Sequence, residues 1–368
     1  MSWEKVKFTK VVKDVTSGNT KLNQNSYQLY GDYPIIDQGE KFIGGFYNED
    51  VTVKLTKPVV IFGDHSKCVK YVDFNFILGA DGVKVLETSE ALDPKFLYYF
   101  LHSIELPNVG YSRHFKFLKE TEIPLPPLPI QEKIAAILDK ADELRRKDQE
   151  LLKKYDELAQ AIFIDMFGDP VKNEKGWEVK SGIECLKIVG GKAFKSSDYK
   201  KAGVPLIRIG TVNKGYFDHS QVVFIAKSDN FSRYIINPGD LLMTLTGTVG
   251  KDDYGNIFMI GKQYDFYYLN QRVAKIVSDF NKLFLMYYFK QKTVKKELTG
   301  VSRGVRQANI SNSDFFKLNV ISPPIHLQEA FAKKIELINQ IKAKINAEKS
   351  HELFQSLLQR AFEGELVI

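Results

Sequence analysis

The chain has 368 residues, 44% of them hydrophobic, which is enough for two globular cores. Its only two cysteines, Cys68 and Cys185, exclude a disulfide framework and favour the reducing cytoplasm. The sequence begins without an apolar signal core, and its longest apolar runs are too short to cross a bilayer, so no membrane association is expected.

The net charge of +7 is distributed unevenly along the chain. Residues 1–127 have 15 basic and 16 acidic side chains, whereas residues 169–324 have 24 and 14, a net charge of +10. Residues 128–168 and 325–368 have net charges of −2 and 0. The basic excess in residues 169–324 favours binding to a polyanion, although a basic soluble domain without such a partner has the same composition.

Residues 1–127 are predicted to form a first α+β domain. Short β-like runs alternate with turns rich in Gly and Asn, and one aromatic helix follows at residues 96–101. Residues 128–168 are predicted to form one long helix, because apolar residues recur there at heptad spacing. Pro129 and Glu132 favour the start of this helix, and Gly168 with Pro170 favours its end.

The same order of elements is then repeated. Residues 169–324 are predicted to form a second α+β domain with an aromatic helix at residues 285–289, and residues 325–368 a second long helix. Each long helix follows a similar opening, PPLPIQE at residues 126–132 and PPIHLQE at residues 323–329. A turn of the form Gly-x-Ser-Arg also occurs in both domains, at residues 110–113 and 300–303.

Each predicted helix has an apolar stripe that needs a partner, and the two helices are predicted to pair as an antiparallel coiled coil. The alternative is an ordinary two-helix packing element with no role in spacing the two domains. The predicted seam residues are Ile134, Ile137, Leu144, Leu151, Leu158 and Ile162 in the first helix and Phe331, Ile335, Ile338, Ile345 and Leu357 in the second.

The paired helix openings, aromatic helices and Gly-x-Ser-Arg turns resemble the specificity subunit of type I restriction–modification systems, over essentially the whole chain. The resemblance implies two target-recognition domains related by a pseudo-twofold axis, each recognising one half of a bipartite, asymmetric site in double-stranded DNA. It implies that the coiled coil sets the unread spacer and binds two methyltransferase subunits, together with restriction and translocation subunits. It also implies no cofactor in this chain, with S-adenosylmethionine, ATP and Mg²⁺ on the partner subunits.

Two groups of residues are candidates for DNA contacts. Arginine can donate two hydrogen bonds to guanine, and glutamine or asparagine can pair with adenine, which makes the residues around the two Gly-x-Ser-Arg turns candidates for base recognition. Hydroxyl and lysine side chains after the apolar strands suit phosphate contacts, although ordinary solvated turns have the same composition. The first group is Arg113, Lys116, Arg303, Arg306, Gln307 and Asn309, and the second is His65, Lys67, Lys70, Thr246, Thr248 and Lys251.

No complete catalytic motif is present. Residues 300–304 match the letters of a nucleophile elbow but lack its strand–turn–helix context, and residues 322–325 lack the aromatic residue of an amino-methyltransferase motif. The histidines and cysteines have no spacing typical of a metal site. A non-catalytic DNA-recognition subunit is therefore predicted, with a protein-binding scaffold and a fused methyltransferase as the alternatives.

Overall fold

The computed structural model describes residues 3–107, 112–212, 216–248, 253–300 and 307–366, with Gln307 described by its backbone alone. The chain divides into two compact units. Unit 1 comprises Met1–Glu150 and Asn346–Ile368, and unit 2 comprises Leu151–Ile345. Both units contain helices and strands, which confirms the predicted α+β fold class.

Unit 1 contains ten strands and short helices before the first long helix within the described residues. In chain order they are β1 (Lys5–Lys7), α1 (Phe8–Val11), β2 (Val12–Asp14), β3 (Lys21–Leu22), β4 (Tyr33–Ile36), β5 (Gly45–Tyr47), β6 (Val59–Gly63), β7 (Val69–Val72), β8 (Ile77–Gly79), β9 (Val83–Thr88), α2 (Pro94–Ser103), α3 (Phe115–Leu118) and β10 (Glu122–Pro124). The long helix α4 follows (Leu128–Phe167).

Unit 2 repeats this plan with some additions. Its elements are β11 (Val179–Ser181), α5 (Gly182–Cys185), β12 (Lys187–Gly190), β13 (Val204–Ile207), α6 (Ile209–Val212), β14 (Phe224–Ile225), β15 (Ile235–Ile236), β16 (Leu241–Thr244), β17 (Thr246–Thr248), β18 (Ile257–Met259), β19 (Tyr267–Leu269), β20 (Val273–Val277), α7 (Lys282–Lys290), α8 (Lys292–Thr299), β21 (Gln307–Asn309), α9 (Asn312–Phe316), β22 (Asn319–Ile321) and α10 (Ile325–Lys344). The last helix, α11 (Ala347–Glu363), belongs to unit 1.

The central sheets of the two units share one topology. An antiparallel sheet has the order β2-β9-β6-β7 in unit 1 and β12-β20-β16-β18 in unit 2. A second, mixed sheet includes the parallel pair β4–β8 in unit 1 and β13–β19 in unit 2. A short antiparallel ribbon, β1–β10 or β11–β22, joins the beginning of each domain to the strand that precedes its long helix. The internal repeat is therefore a repeat of topology as well as of sequence.

The long helices pack within each unit through apolar side chains. In unit 2 the Phe163 and Phe167 rings of α4 lie 5.6 Å from the Phe331 ring of α10, and the Lys342 ammonium is 2.5 Å from the Asp156 carboxylate. The beginning of α10 thus lies beside the end of α4, which is the predicted antiparallel direction. None of the helices in the described residues is long and apolar enough to cross a membrane.

The structure contradicts the predicted seam in the middle of α4, where three of its leucines are exposed. Ile134, Phe331, Ile335 and Ile338 are buried, and Ile137, Ile162, Ile345 and Leu357 are half-buried. Leu144, Leu151 and Leu158 are instead 47%, 42% and 46% exposed. A strict heptad assumes 3.5 residues per turn, whereas an α-helix drifts by about 20° per heptad from that repeat.

The buried stripe of α4 accordingly follows other positions. Leu138 and Ala141 pack in the core of unit 1, whereas Ala159 and Phe163 pack in the core of unit 2. The second long helix was predicted to be continuous, but the structure divides it into α10 and α11. Ile345 and Asn346, between these two helices, are not helical. The break lies at these two residues, since Ala347 already begins the next helix.

A buried glutamine gives a structural role to the PPxxxQE motif at the start of each long helix. Gln131 of α4 accepts a hydrogen bond from Asp93 N (2.9 Å) and donates to the carbonyl oxygens of Ala91 (2.9 Å) and Pro126 (2.8 Å). Asp93 is the N-cap residue of the aromatic helix α2. The glutamine therefore joins the start of the long helix to the start of the aromatic helix.

Unit 2 has the same arrangement. Gln328 of α10 accepts from the backbone N–H of Asn281, the N-cap residue of α7, at 2.9 Å and donates to Pro323 O at 2.8 Å. The two glutamine side chains are 0% and 3% exposed, so water cannot replace the bonds that they make.

We expect Gln328→Met to destabilise unit 2 by about 1–3 kcal/mol, because it leaves a buried N–H group and a buried carbonyl without partners. Urea unfolding followed by Trp177 fluorescence in a Trp3→Phe background measures this change in unit 2 alone. The matched control is Gln340→Met, since Gln340 is exposed on the same helix α10 of unit 2. Equal stability of both variants would contradict the structural role of Gln328.

Candidate nucleic-acid interface

In unit 1 the two groups of predicted DNA-contacting residues lie beside each other. Strand β6 ends at Gly63, and the next residue, Asp64, is 4% exposed. The backbone carbonyl of Asp64 accepts from His114 N (2.8 Å) and lies 3.0 Å from His114 Nδ1, which acts as a donor to it. The Asp64 carboxylate accepts from Phe115 N at 2.8 Å. These bonds hold Arg113 next to the turn that contains His65 and Lys67.

The side chains at this end of strand β6 differ in exposure and in the contacts that they already make within unit 1. Arg113 and Lys116 are exposed, and the Lys116 ammonium lies 4.8 Å from the centre of the Phe117 ring. His65 is half-buried, and its backbone N–H donates to Gln38 Oε1 at 3.2 Å. Lys67 has a positive φ of 60°, and its ammonium donates to the carbonyl oxygens of Leu106 and Pro107 at 3.2 and 3.3 Å.

The prediction that Lys70 contacts phosphate is wrong. Lys70 is 5% exposed, and its ammonium donates to the carbonyl oxygens of Asp37 (2.7 Å) and Lys41 (2.6 Å) and lies 3.5 Å from the Asp37 carboxylate. Burial lowers the pKa of Lys70, and the Asp37 carboxylate opposes that shift. The alternation of strand β7 points this lysine inward, so its role is structural.

In unit 2 the same two groups are joined by a ladder of backbone hydrogen bonds. Strand β17 pairs antiparallel with β21, so that Thr246 lies opposite Asn309 and Thr248 lies opposite Gln307. Asn309 and Thr248 are exposed, and Thr246 is half-buried with its hydroxyl unbonded within the described residues. The Thr248 N–H donates to Asp253 Oδ1 at 2.8 Å.

The two units therefore make one equivalent connection. Ile310 N donates to Leu245 O at 2.8 Å in unit 2, as His114 N donates to Asp64 O at the same distance in unit 1. In both units the segment before the short helix α3 or α9 is bonded to the end of the central strand β6 or β16. Arg303, Arg306 and Lys251 lie outside the described residues, and Gln307 is described by its backbone alone.

Three cations near the β17–β21 pair of unit 2 were not predicted from the sequence. Arg208 directly follows β13, Arg272 directly precedes β20, and Lys192 forms a parallel bridge with Asn270. Sequence analysis missed them because no repeated motif includes them. The one available signal was their position at strand ends, and that became informative only once the strand order was known.

The edge has the chemistry of a binding surface. Hydroxyl, amide, arginine and lysine groups are donors for phosphate oxygens and base edges. Among the described residues, no group of three or more His, Cys, Asp or Glu side chains could hold a metal ion.

Comparison with known proteins gives a consistent result. The model of the family described as type I restriction modification DNA specificity domain matches residues 2–154 and again residues 174–354. The two matches together span most of the chain.

Individual relatives extend over nearly the whole chain. The chain is 23% identical to the type I restriction enzyme MjaVIII specificity subunit of Methanocaldococcus jannaschii, over 97% of this chain and 92% of that protein. It is 26% identical to the MjaIX specificity subunit of the same organism, over 99% and 93%. The crystal structure of the type I restriction-modification S subunit from M. genitalium has the same fold, with a TM-score of 0.61, 18% identity and coverage of 98% and 96%.

We expect Lys70→Met to destabilise unit 1 by about 3 kcal/mol, because the Asp37 carboxylate and the carbonyl oxygens of Asp37 and Lys41 lose their partner. Urea unfolding followed by Trp3 fluorescence in a Trp177→Phe background measures it. Lys70→Met/Asp37→Asn should recover part of the loss, because it removes the uncompensated charge.

Lys84→Met is the control for Lys70. Lys84 pairs with Asp14 at 2.9 Å, with both side chains 28% exposed, and its loss should cost less than about 1 kcal/mol. If Lys70→Met kept full stability and weakened DNA binding, the structural role of Lys70 would be refuted.

Proposed function

The chain belongs to the type I restriction–modification DNA specificity family, and from this membership we propose how its two units recognise DNA. It is a non-catalytic DNA-recognition subunit, so that its surfaces bind rather than react. We propose that each unit recognises one half of a bipartite, asymmetric site through the edge at the end of its central strand. Phosphate contacts supply most of the affinity, and a few base contacts supply the specificity.

One observation supports this assignment most directly. In both units, two segments that are far apart in sequence are hydrogen-bonded to each other at the same place in the fold. The sequence indicates each of these segments separately as a candidate for DNA contacts. Arg113 and Lys116 in unit 1, and Thr248 and Asn309 in unit 2, are exposed there. We assign Arg113 and Asn309 to bases, because their side chains can donate or pair in the major groove, and Lys116 and Thr248 to phosphates.

The proposal extends to partners and cofactors. We propose that two methyltransferase subunits bind the long helices and that restriction and translocation subunits join this complex in the cytoplasm. The exposed leucines of α4, at positions 144, 151 and 158, are apolar surface available for such subunits. S-adenosylmethionine, ATP and Mg²⁺ would then be bound by the partners.

The test of this function is the set of methylated sites that the chain specifies. The gene is expressed together with the gene of its methyltransferase partner in a host without methylation of its own, and modified bases are mapped by sequencing. A single bipartite motif is expected. Methylation without any sequence preference would contradict DNA recognition by this chain, and methyl transfer by the isolated chain would support the fused-enzyme alternative.

We expect Asn309→Ala to cost about 1–3 kcal/mol in binding and to relax the preference at one position of one half-site, because its amide can pair with one adenine. The measurement is the methylation map together with competition binding against duplexes changed at each position. Asn319→Ala, in the exposed part of β22, is the control and should leave both half-sites unchanged. An equal loss on all sequences would make Asn309 a phosphate contact.

A further inference from the structure

We propose that Lys192, Arg208 and Arg272 form a phosphate-binding rim on unit 2 that has no counterpart in unit 1. Unit 2 is then the stronger electrostatic anchor of the protein on DNA. This inference rests on the proposed function and adds to it a site for the DNA backbone and a difference between the two units.

Backbone hydrogen bonds bring the three residues of the rim together. Asn270 N donates to Ile207 O at 2.9 Å. This bond joins the residue directly before Arg208 to the residue two positions before Arg272. Lys192 N donates to Leu269 O at 2.9 Å, and Gln271 N donates back to Lys192 O at 3.1 Å. The rim is thus built on three chain segments that end at the same edge of the mixed sheet.

The rim is continuous with the candidate interface. Leu245 N donates to Arg272 O at 2.9 Å, and Leu245 directly precedes Thr246 of β17. Thr246 lies opposite Asn309 in the β17–β21 pair. A duplex that contacts Asn309 therefore has its backbone within reach of the rim.

The side chains of the rim are held by contacts within unit 2, where Lys192 and Arg208 are half-buried. The Arg208 guanidinium lies 5.9 Å from the centre of the Tyr199 ring and donates to Gln221 O at 2.8 Å. The Lys192 ammonium lies 5.6 Å from the Phe231 ring. Arg272 is exposed, and none of the three cations forms an ion pair with a carboxylate in the part of the chain that the structure describes. Aromatic support limits the entropy lost when an arginine or lysine binds phosphate.

The corresponding positions of unit 1 are not cationic. Strands β4 and β13 occupy the same place in the mixed sheets, and the residue that follows is Asp37 in unit 1 and Arg208 in unit 2. The residue before β9 is Gly82, whose carbonyl accepts from Asp64 N at 2.6 Å, as Arg272 accepts from Leu245 N. Lys192 corresponds to Leu22, which pairs in parallel with Gly79.

The two units also differ at the position of Lys70. Lys70 of β7 neutralises Asp37 inside unit 1. The register of β18 on β16 places Phe258, which is 4% exposed, at the position equivalent to Lys70. Unit 1 therefore has its cation inside the domain, whereas unit 2 has an apolar core residue there and an arginine at the rim.

The experiment is a salt series of duplex binding by the full chain in complex with its methyltransferase subunits. Each phosphate contact contributes about 0.9 to the slope of log K against log salt, so K192Q/R208Q/R272Q should make the slope less steep by about 2.7. Glutamine keeps hydrogen-bonding capacity while it removes charge. The methylated motif should stay the same, because phosphate contacts do not distinguish bases.

The matched control removes three cations from elsewhere in unit 2. Lys172 and Lys175, in the loop after α4, and Lys187, at the far end of β12, are exposed, and K172Q/K175Q/K187Q changes the net charge by the same amount. Its slope should stay close to that of the unsubstituted protein. Arg208 also donates a hydrogen bond to Gln221 O, and the double variant K192Q/R272Q keeps that bond. This double variant should make the slope less steep by about 1.8.

The outcomes separate this inference from the proposed function. Equal slopes for the rim variant and the unsubstituted protein, or equal reductions in the rim and control variants, would overturn the rim while DNA recognition stands. A changed methylated motif in the rim variant would also overturn it, since the residues would then recognise bases. Absence of any salt-dependent binding by the unsubstituted complex would instead refute the proposed function.

Discussion

The buried glutamine at the start of each long helix is the interaction on which the rest of the architecture depends. Gln131 and Gln328 each join three parts of a unit: the proline-rich entry to the long helix, the long helix itself and the N-cap of an aromatic helix. The aromatic helix in turn packs on the other apolar elements, with the Phe96 ring 5.0 Å from Phe362 and the Phe284 ring 5.0 Å from Phe167. A helix end that is bonded in this way has a defined direction relative to its domain.

The repeat, the fold class and the antiparallel direction of the long helices could be predicted from the sequence, because they depend on patterns that extend over many residues. The PPxxxQE motif was visible as a repeat, but its function was not. Only the structure shows that the glutamine of this motif, rather than the glutamate, makes the buried hydrogen bonds that the two units share. The seam of α4 failed at Leu144, Leu151 and Leu158, since a small difference in helical period accumulates over a long helix.

The candidate interface was predicted in part for a similar reason. The repeated segments around Asp64, His114, Thr246 and Asn309 identified two places in sequence that the fold brings together in both units. The prediction for Lys70 was wrong because the alternation of side chains along β7 decides which face of the sheet each residue occupies. That register is not visible in the repeated motifs. Arg208 and Arg272 became visible only when the strand order placed separate strand ends at one edge. Similar folds can therefore present different charges to a ligand, because equivalent strand ends are followed by residues of different charge, such as Asp37 and Arg208.

The return of α11 to unit 1 has a consequence for synthesis of the protein. Unit 2 is a continuous segment, Leu151–Ile345, whereas the core of unit 1 includes Phe354, Leu358 and Ala361 from a helix that is translated after unit 2. Of the two units, unit 1 therefore begins to emerge first but closes its core second, and its apolar surface stays uncovered while unit 2 is made. A premature stop codon between the codons for Ile345 and Phe354 would damage unit 1, although most of that unit is encoded upstream of unit 2.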